Sequence, residues 1–176
     1  MEKGSWKNVI FLDFDGVINT CKDNSKEATE KRIRILGEMC KRYDCKVVIE
    51  ASVKCFIDEE TLETDVKWVN EIYKLFEKYG IDCIGRTPEV SKKINEFSEM
   101  PICKEDEILL YLSRHPSIEN YVVIDDDDLP KHSDLDKVRD HLVTPLMYAK
   151  TAEEEGLQEF HIEEVGKILK KQKKKL

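Results

Sequence analysis

The sequence predicts an α/β domain of three layers, with a mainly parallel sheet of about five strands between helices, and three observations lead there. Short apolar runs rich in β-branched residues recur at 9–12, 45–49, 81–84, 121–124 and 141–144. Between them lie stretches whose apolar residues repeat at three- and four-residue spacing, and strands alternating with helices are the pattern of a sheet covered on both faces. The first and fourth runs both deliver acid, Asp13 and Asp15 after the one and residues 125–128 after the other. Strands buried on both faces read as unbroken apolar runs, and ligands gather at their carboxyl ends.

The first run, Val9-Ile10-Phe11-Leu12, leads into Asp13-Phe14-Asp15-Gly16. Alternation along an extended chain sends Asp13 and Asp15 to one side and Phe14 to the other. Two carboxylates held together raise each other's pKa or take a cation between them, and a hard divalent ion such as Mg2+ suits oxygen ligands. A polar turn over 19–26 precedes a helix over 27–43, where Ile33, Leu36, Cys40 and Tyr43 make one buried face. Residues 45–49 then close a βαβ unit, which implies parallel strands and a right-handed crossover.

A second helix is expected over 62–79, with Thr61 or Thr64 as its cap, Gly80 as its stop and Leu62, Val66, Val69, Tyr73 and Phe76 as its stripe. The third strand, 81–84, is brief, and 85–103 is polar and interrupted by Pro88 and Pro101. A helix over 105–114 ends before Pro116, and the fourth strand, 121–124, runs into Asp125-Asp126-Asp127-Asp128. The fifth, 141–144, stops at Pro145, and Gly156-Leu157 precedes a last amphipathic helix carrying Phe160, Val165, Ile168 and Leu169. If the first and fourth strands are neighbours, Asp13, Asp15, Asp125 and Asp126 converge, and that much negative charge needs a cation.

A chain of 176 residues has room for one domain, 1–176, with the basic tail 170–176 expected to be disordered. With 40% hydrophobic and 38% charged residues, it reads as a globular protein with a heavily charged surface. No apolar run is long enough to span a bilayer and no signal-peptide core begins the chain, so a cytoplasmic protein without a membrane partner is expected. Cys21, Cys40, Cys45, Cys55, Cys83 and Cys103 show no metal-binding spacing and read as reduced thiols. A net charge of -8 argues against a surface built mainly for nucleic-acid phosphates. The histidines are scattered, and Trp6 and Trp68 read as packing residues.

The string Phe11-Leu12-Asp13-Phe14-Asp15-Gly16-Val17-Ile18-Asn19 resembles the first motif of the haloacid dehalogenase (HAD) superfamily, and an apolar strand followed by Asp125-Asp126 resembles its fourth. With Arg86-Thr87-Pro88, the stretch 104–108 and Gly156-Leu157, the whole is most similar to small capless members, the group that includes domains of RNA-repair proteins. The resemblance implies a Rossmann-like, HAD-like sheet without a large cap. It implies hydrolysis of phosphate monoesters through an aspartyl-phosphate on Asp13, with Asp15 as general acid and base. Mg2+ would be held by Asp13, Asp125, Asp126 and the backbone carbonyl of Asp15. Lys104 would hold the phosphate, with Lys92, Lys93 and Arg86 as other candidates.

At the second motif the superfamily places hydroxyl residues after the second strand, whereas this chain reads Ile49-Glu50-Ala51-Ser52. Ser52 is in register to bind phosphate, but a carboxylate at position 50 pointing into the site would repel it. Two alternatives therefore stay open, a metal-binding scaffold with little turnover and a phosphotransferase. The insertions are too short for a folded cap, so the site is expected to lie open, accessible to a phosphate on a nucleic-acid end or a phosphoprotein as well as to a small metabolite.

Overall fold

The computed structural model describes residues 6–89, 104–127 and 136–172. Within them the chain runs β1 (Asn8–Leu12), α1 (Lys26–Tyr43), β2 (Cys45–Ile49), α2 (Lys67–Lys78), β3 (Cys83–Arg86), α3 (Lys104–Arg114), β4 (Asn120–Ile124), α4 (Asp136–Arg139), β5 (Leu142–Val143) and α5 (His161–Gln172). The five strands form one sheet in the order β3-β2-β1-β4-β5, and every pairing is parallel. The order reverses at β1, the central strand, and a crevice opens where successive crossovers leave for opposite faces.

Alternation along the strands sorts the core into its two faces. Ile10, Leu12, Val47, Ile49, Val122 and Ile124 face one way, against Ile33 and Leu36 of α1, Val69 and Phe76 of α2, and Val165 and Leu169 of α5. Val9, Phe11, Val48 and Val123 face the other way, against Ile108 and Tyr111 of α3 and Val138 of α4. Parity alone then assigns the residues just past the strand ends. Asp13, Glu50 and Asp125 continue the odd series of β1, the even series of β2 and the odd series of β4, so all three turn toward α3. Phe14 turns the other way and joins the α1 and α2 side, fully buried.

Local chemistry sets most boundaries. Ser25 caps α1 by accepting from the Ala28 amide at 3.2 Å, and Asp44 ends it in the left-handed conformation at φ 51. The second helix begins later than its sequence stripe suggests. Leu62 adopts φ 61, which no right-handed helix accommodates, and neither expected threonine caps it: the Thr64 hydroxyl accepts from the Val66 amide two residues on, one turn ahead of a start at Lys67.

The third strand, Cys83–Arg86, lies two residues beyond its expected place, and its pairing with β2 shifts register between Val47 and Val48. The last helix begins at His161, leaving Phe160 outside it and 60% exposed rather than on the buried stripe. At its other end the helix takes in residues 170–172, and the Gln172 side-chain amide donates to the Tyr121 carbonyl at 2.8 Å. Lys92, Lys93, Cys103, Asp128, His132, Asp134 and residues 173–176 lie outside the described residues. Cys21, Cys40, Cys55 and Cys83 are free thiols. No described helix is long and apolar enough to cross a membrane.

Gly156-Leu157 tie the end of the chain to the turn after β1. The Leu157 amide donates to the Val17 carbonyl at 2.9 Å. Gly156 takes φ +72, and a Cβ there would stand 2.7 Å from both the Val17 carbonyl oxygen and Arg32 Nε. Only glycine permits this approach. Arg32 in turn donates to the carbonyls of Ile18, Asp23 and Glu155, so the loop that carries Asp15 is held by α1 from below.

Candidate active site

Strand register builds the site. Leu12 pairs with Ile49 on one side and Ile124 on the other, and the ladder continues for one more residue. The Glu50 amide donates to the Leu12 carbonyl at 2.8 Å and the Asp13 amide to the Ile124 carbonyl at 2.9 Å. Asp13, Glu50 and Asp125 therefore form a row of carboxylates at the carboxyl edge of adjacent strands, which lie about 4.8 Å apart. All three are buried, Glu50 and Asp125 completely. Such a row is untenable without cations.

Lysine supplies the first charge. Lys104, the first residue of α3, places its ammonium 2.7 Å from Asp13 Oδ2 and 2.7 Å from Asp125 Oδ2. Burial pulls the Lys104 ammonium down, but Asp13 and Asp125 outweigh it and hold the group above the ordinary lysine range. Burial, then the Asp125 charge, push the Asp13 carboxyl up to about 6. Its crowding thus comes from β4, rather than from Asp15 as the sequence suggests. Asp15 is exposed, because β1 ends at Leu12 and the chain turns at Gly16, φ +74.

Asp13, Asp125 and Asp126 bring carboxylate oxygens within 4.8 Å of one another. Burial, Asp125 and Asp127 raise the Asp126 carboxyl above its usual range. Gly16 is what lets Asp126 approach, since a Cβ there would stand 2.2 Å from the Asp126 carboxyl carbon. Three hard oxygen donors against a single ammonium leave a charge of -2 when all are ionised, a donor set that fits a hard divalent cation such as Mg2+.

Glu50 does not enter this cluster. Lys54 donates to Glu50 Oε1 at 2.8 Å, to the Thr87 hydroxyl at 2.8 Å and to Glu107, while Thr87 donates to Glu50 Oε2. Burial, relieved in part by Lys54 and Thr87, still raises the Glu50 carboxyl to about 7. The Glu50 carboxylate, which stands where the resemblance leads one to expect a hydroxyl, is therefore taken up by Lys54 in a buried ion pair. The row is shared between two lysines in two compartments, Lys104 at Asp13 and Asp125 and Lys54 at Glu50.

The remaining sequence candidates fall as follows. Ser52 begins a short 3-10 turn, Ser52–Phe56, after β2 and is exposed. Arg86 is spent on structure, donating to the carbonyls of Ile57 and Thr87. It also borders a cavity of about 950 Å³ lined by Asp58, Glu59, Glu60, Glu63 and Asp65, whose acid excess suits no phosphate. Sequence reasoning missed the Lys54 network, although a Lys four residues after a Glu beyond a buried strand was a readable sign of a pair. It also missed Trp68, 42% exposed rather than packed away.

No curated protein and no solved structure matches the chain. Among family models, that of the HAD domain in Swiss Army Knife RNA repair proteins matches residues 9–162. That span runs from β1 into the first turn of α5, and takes in the parallel sheet, the Asp13, Asp125 and Asp126 cluster and Lys104. The chain belongs to this family of HAD domains.

Proposed function

We propose that the chain is a Mg2+-dependent phosphatase that hydrolyses the terminal phosphate of a nucleic-acid strand through an aspartyl-phosphate on Asp13. The observation that carries this reading is the Lys104 ammonium held 2.7 Å from both Asp13 and Asp125 beside Asp126. The family's description supplies the strand as substrate, since it names RNA repair proteins. Asp13, Asp125 and Asp126, with the Asp15 carbonyl, would hold the metal, which when bound neutralises negative charge on the transferring oxygens.

Asp13 Oδ attacks phosphorus in line as the bond to the leaving oxygen breaks, and Asp15 gives that oxygen a proton. Asp15 then takes a proton from water, whose oxygen attacks the aspartyl-phosphate and releases Asp13 and inorganic phosphate. Lys104 holds phosphate oxygens against the nucleophile. Exposure of Asp15 suits a group that must reach both leaving oxygen and water, and burial of Asp13 suits a nucleophile screened from bulk solvent. Glu50, tied to Lys54, gives no support to a scaffold that has lost turnover.

Hydrolysis of p-nitrophenyl phosphate should require Mg2+ and fall to background in Asp13→Asn. Lys104→Ala should retain about 10²–10³-fold less kcat, the usual effect of removing one donor to transition-state charge. Metal-independent turnover, or turnover that survives Asp13→Asn, would overturn the reading.

A further inference from the structure

We infer that the cavity beside Asp15 is the leaving-group subsite, and that it binds the terminal nucleoside of the substrate with its base stacked on Trp68. The inference rests on the phosphatase reading for its chemistry, but its geometry stands separately. A cavity of about 830 Å³ lies between α2 and the loop after β1. Asp15 lines it, and Asp13, Asp125 and Asp126 do not. A general acid stands beside the leaving oxygen, so a hollow lined, among the described site residues, by Asp15 lies on the leaving-group side.

Its walls describe the occupant. Trp68, in the first turn of α2, sets its ring edge-on to Phe14 with centroids 6.0 Å apart and planes at 70°. Phe14 is fully buried between the two catalytic aspartates in sequence. The indole is thus anchored to the catalytic turn itself, while 42% of the residue stays exposed, which is the setting of a stacking platform. Leu75 and Met147 add apolar residues to the wall, and Asn19 and Asn24, each bearing a side-chain amide, line the same hollow. An amide offers a donor and an acceptor side by side, the pairing that reads the edge of a base.

The rim's charges are largely cancelled. Lys74 pairs with Glu71 at 2.6 Å and Lys78 with Glu30 at 2.5 Å, and all four line the cavity. A rim so paired attracts no polyanion, and the overall charge of -8 adds none. The hollow selects a flat, neutral body with polar edges. A cavity of this size lies within the range for small-molecule sites and accommodates one nucleoside. A strand would therefore be held by its last residue, with little help from the backbone phosphates further in.

The test uses the full chain with Trp6 changed to Phe, so that Trp68 alone reports. Adenosine and guanosine, which carry no phosphate, should quench its fluorescence saturably. Selectivity, taken as the kcat/KM ratio of a nucleoside monophosphate to glycerol phosphate, should fall about tenfold to hundredfold in Trp68→Ala and recover in Trp68→Phe. Oligonucleotides with a terminal phosphate should follow the mononucleotide, and both should lose little affinity between low and physiological salt.

Quenching without hydrolysis of any phosphate would leave the subsite standing and sink the phosphatase reading. Hydrolysis with no quenching by either nucleoside would do the reverse. A phosphotyrosine peptide preferred over every nucleotide, or an unchanged selectivity ratio in a folded Trp68→Ala, would overturn the proposal.

Discussion

At the scale of single residues, Lys54 shows how a change of motif is absorbed. Its ammonium serves Glu50, Glu107 and Thr87 at once, and removing one partner of a buried ion pair strands the other charges in a low-dielectric interior. Lys54→Met should lower the free energy of unfolding by about 3–5 kcal/mol, read from urea denaturation. Glu50 carries a pH signature of its own. Its carboxyl sits at about 7 in the fold against an ordinary 4.5, so the folded state binds the proton more tightly than the unfolded chain. The stability this contributes is complete below about pH 4.5 and is lost as pH rises through 7. Glu50→Gln should flatten the fall in Tm between pH 5 and 8, and an identical fall in the variant would exclude Glu50 as its source.

At the scale of elements, α3 is the part that makes the site one unit. Lys104 and Glu107 stand three residues apart in its first turn, so one helix end carries a cation to Asp13 and Asp125 and an anion to Lys54. The loop after β1 is equally constrained. Gly16→Ala forces a left-handed Cβ residue against Asp126, at a cost of about 1–3 kcal/mol from the backbone conformation. Mg2+ affinity, measured by calorimetry, should fall with it because Asp126 must withdraw. Affinity unchanged in Gly16→Ala would show that Asp126 is not a ligand.

At the scale of the whole molecule, the negative cluster at the centre of the sheet's carboxyl edge is a charge imbalance that a bound cation relieves. Binding to the folded chain alone should raise Tm by about 5–10 °C at Mg2+ a hundredfold above its Kd. Asp125→Asn should abolish that rise in differential scanning calorimetry, while the parallel sheet and both cores remain. Beyond the cluster, the acid-lined cavity beside Arg86 and the charge-balanced one beside Asp15 differ in character. Only the second meets the proposed chemistry.

Much of this was legible along the chain, because hydrophobic periodicity is local and a strand followed by Asp13-Phe14-Asp15-Gly16 or Asp125-Asp126 states its own chemistry. The alternation of strands and helices and the candidacy of Asp13, Asp125, Asp126 and Lys104 followed from those patterns and from the family they resemble, whereas the strand order β3-β2-β1-β4-β5 that makes β1 and β4 neighbours, and leaves Asp15 outside the cluster, did not. The start of α2 was misplaced, since the stripe through Leu62 and Val66 continues in sequence where the backbone has turned left-handed. What the sequence by itself determined was which carboxylates reach the edge of the sheet. Which cation each one meets, that Trp68 lines the same cavity as Asp15, and that Glu50 turns toward Lys54, were decided only by tertiary structure, because register and helix docking bring together residues as far apart as 13 and 104 or 54 and 107.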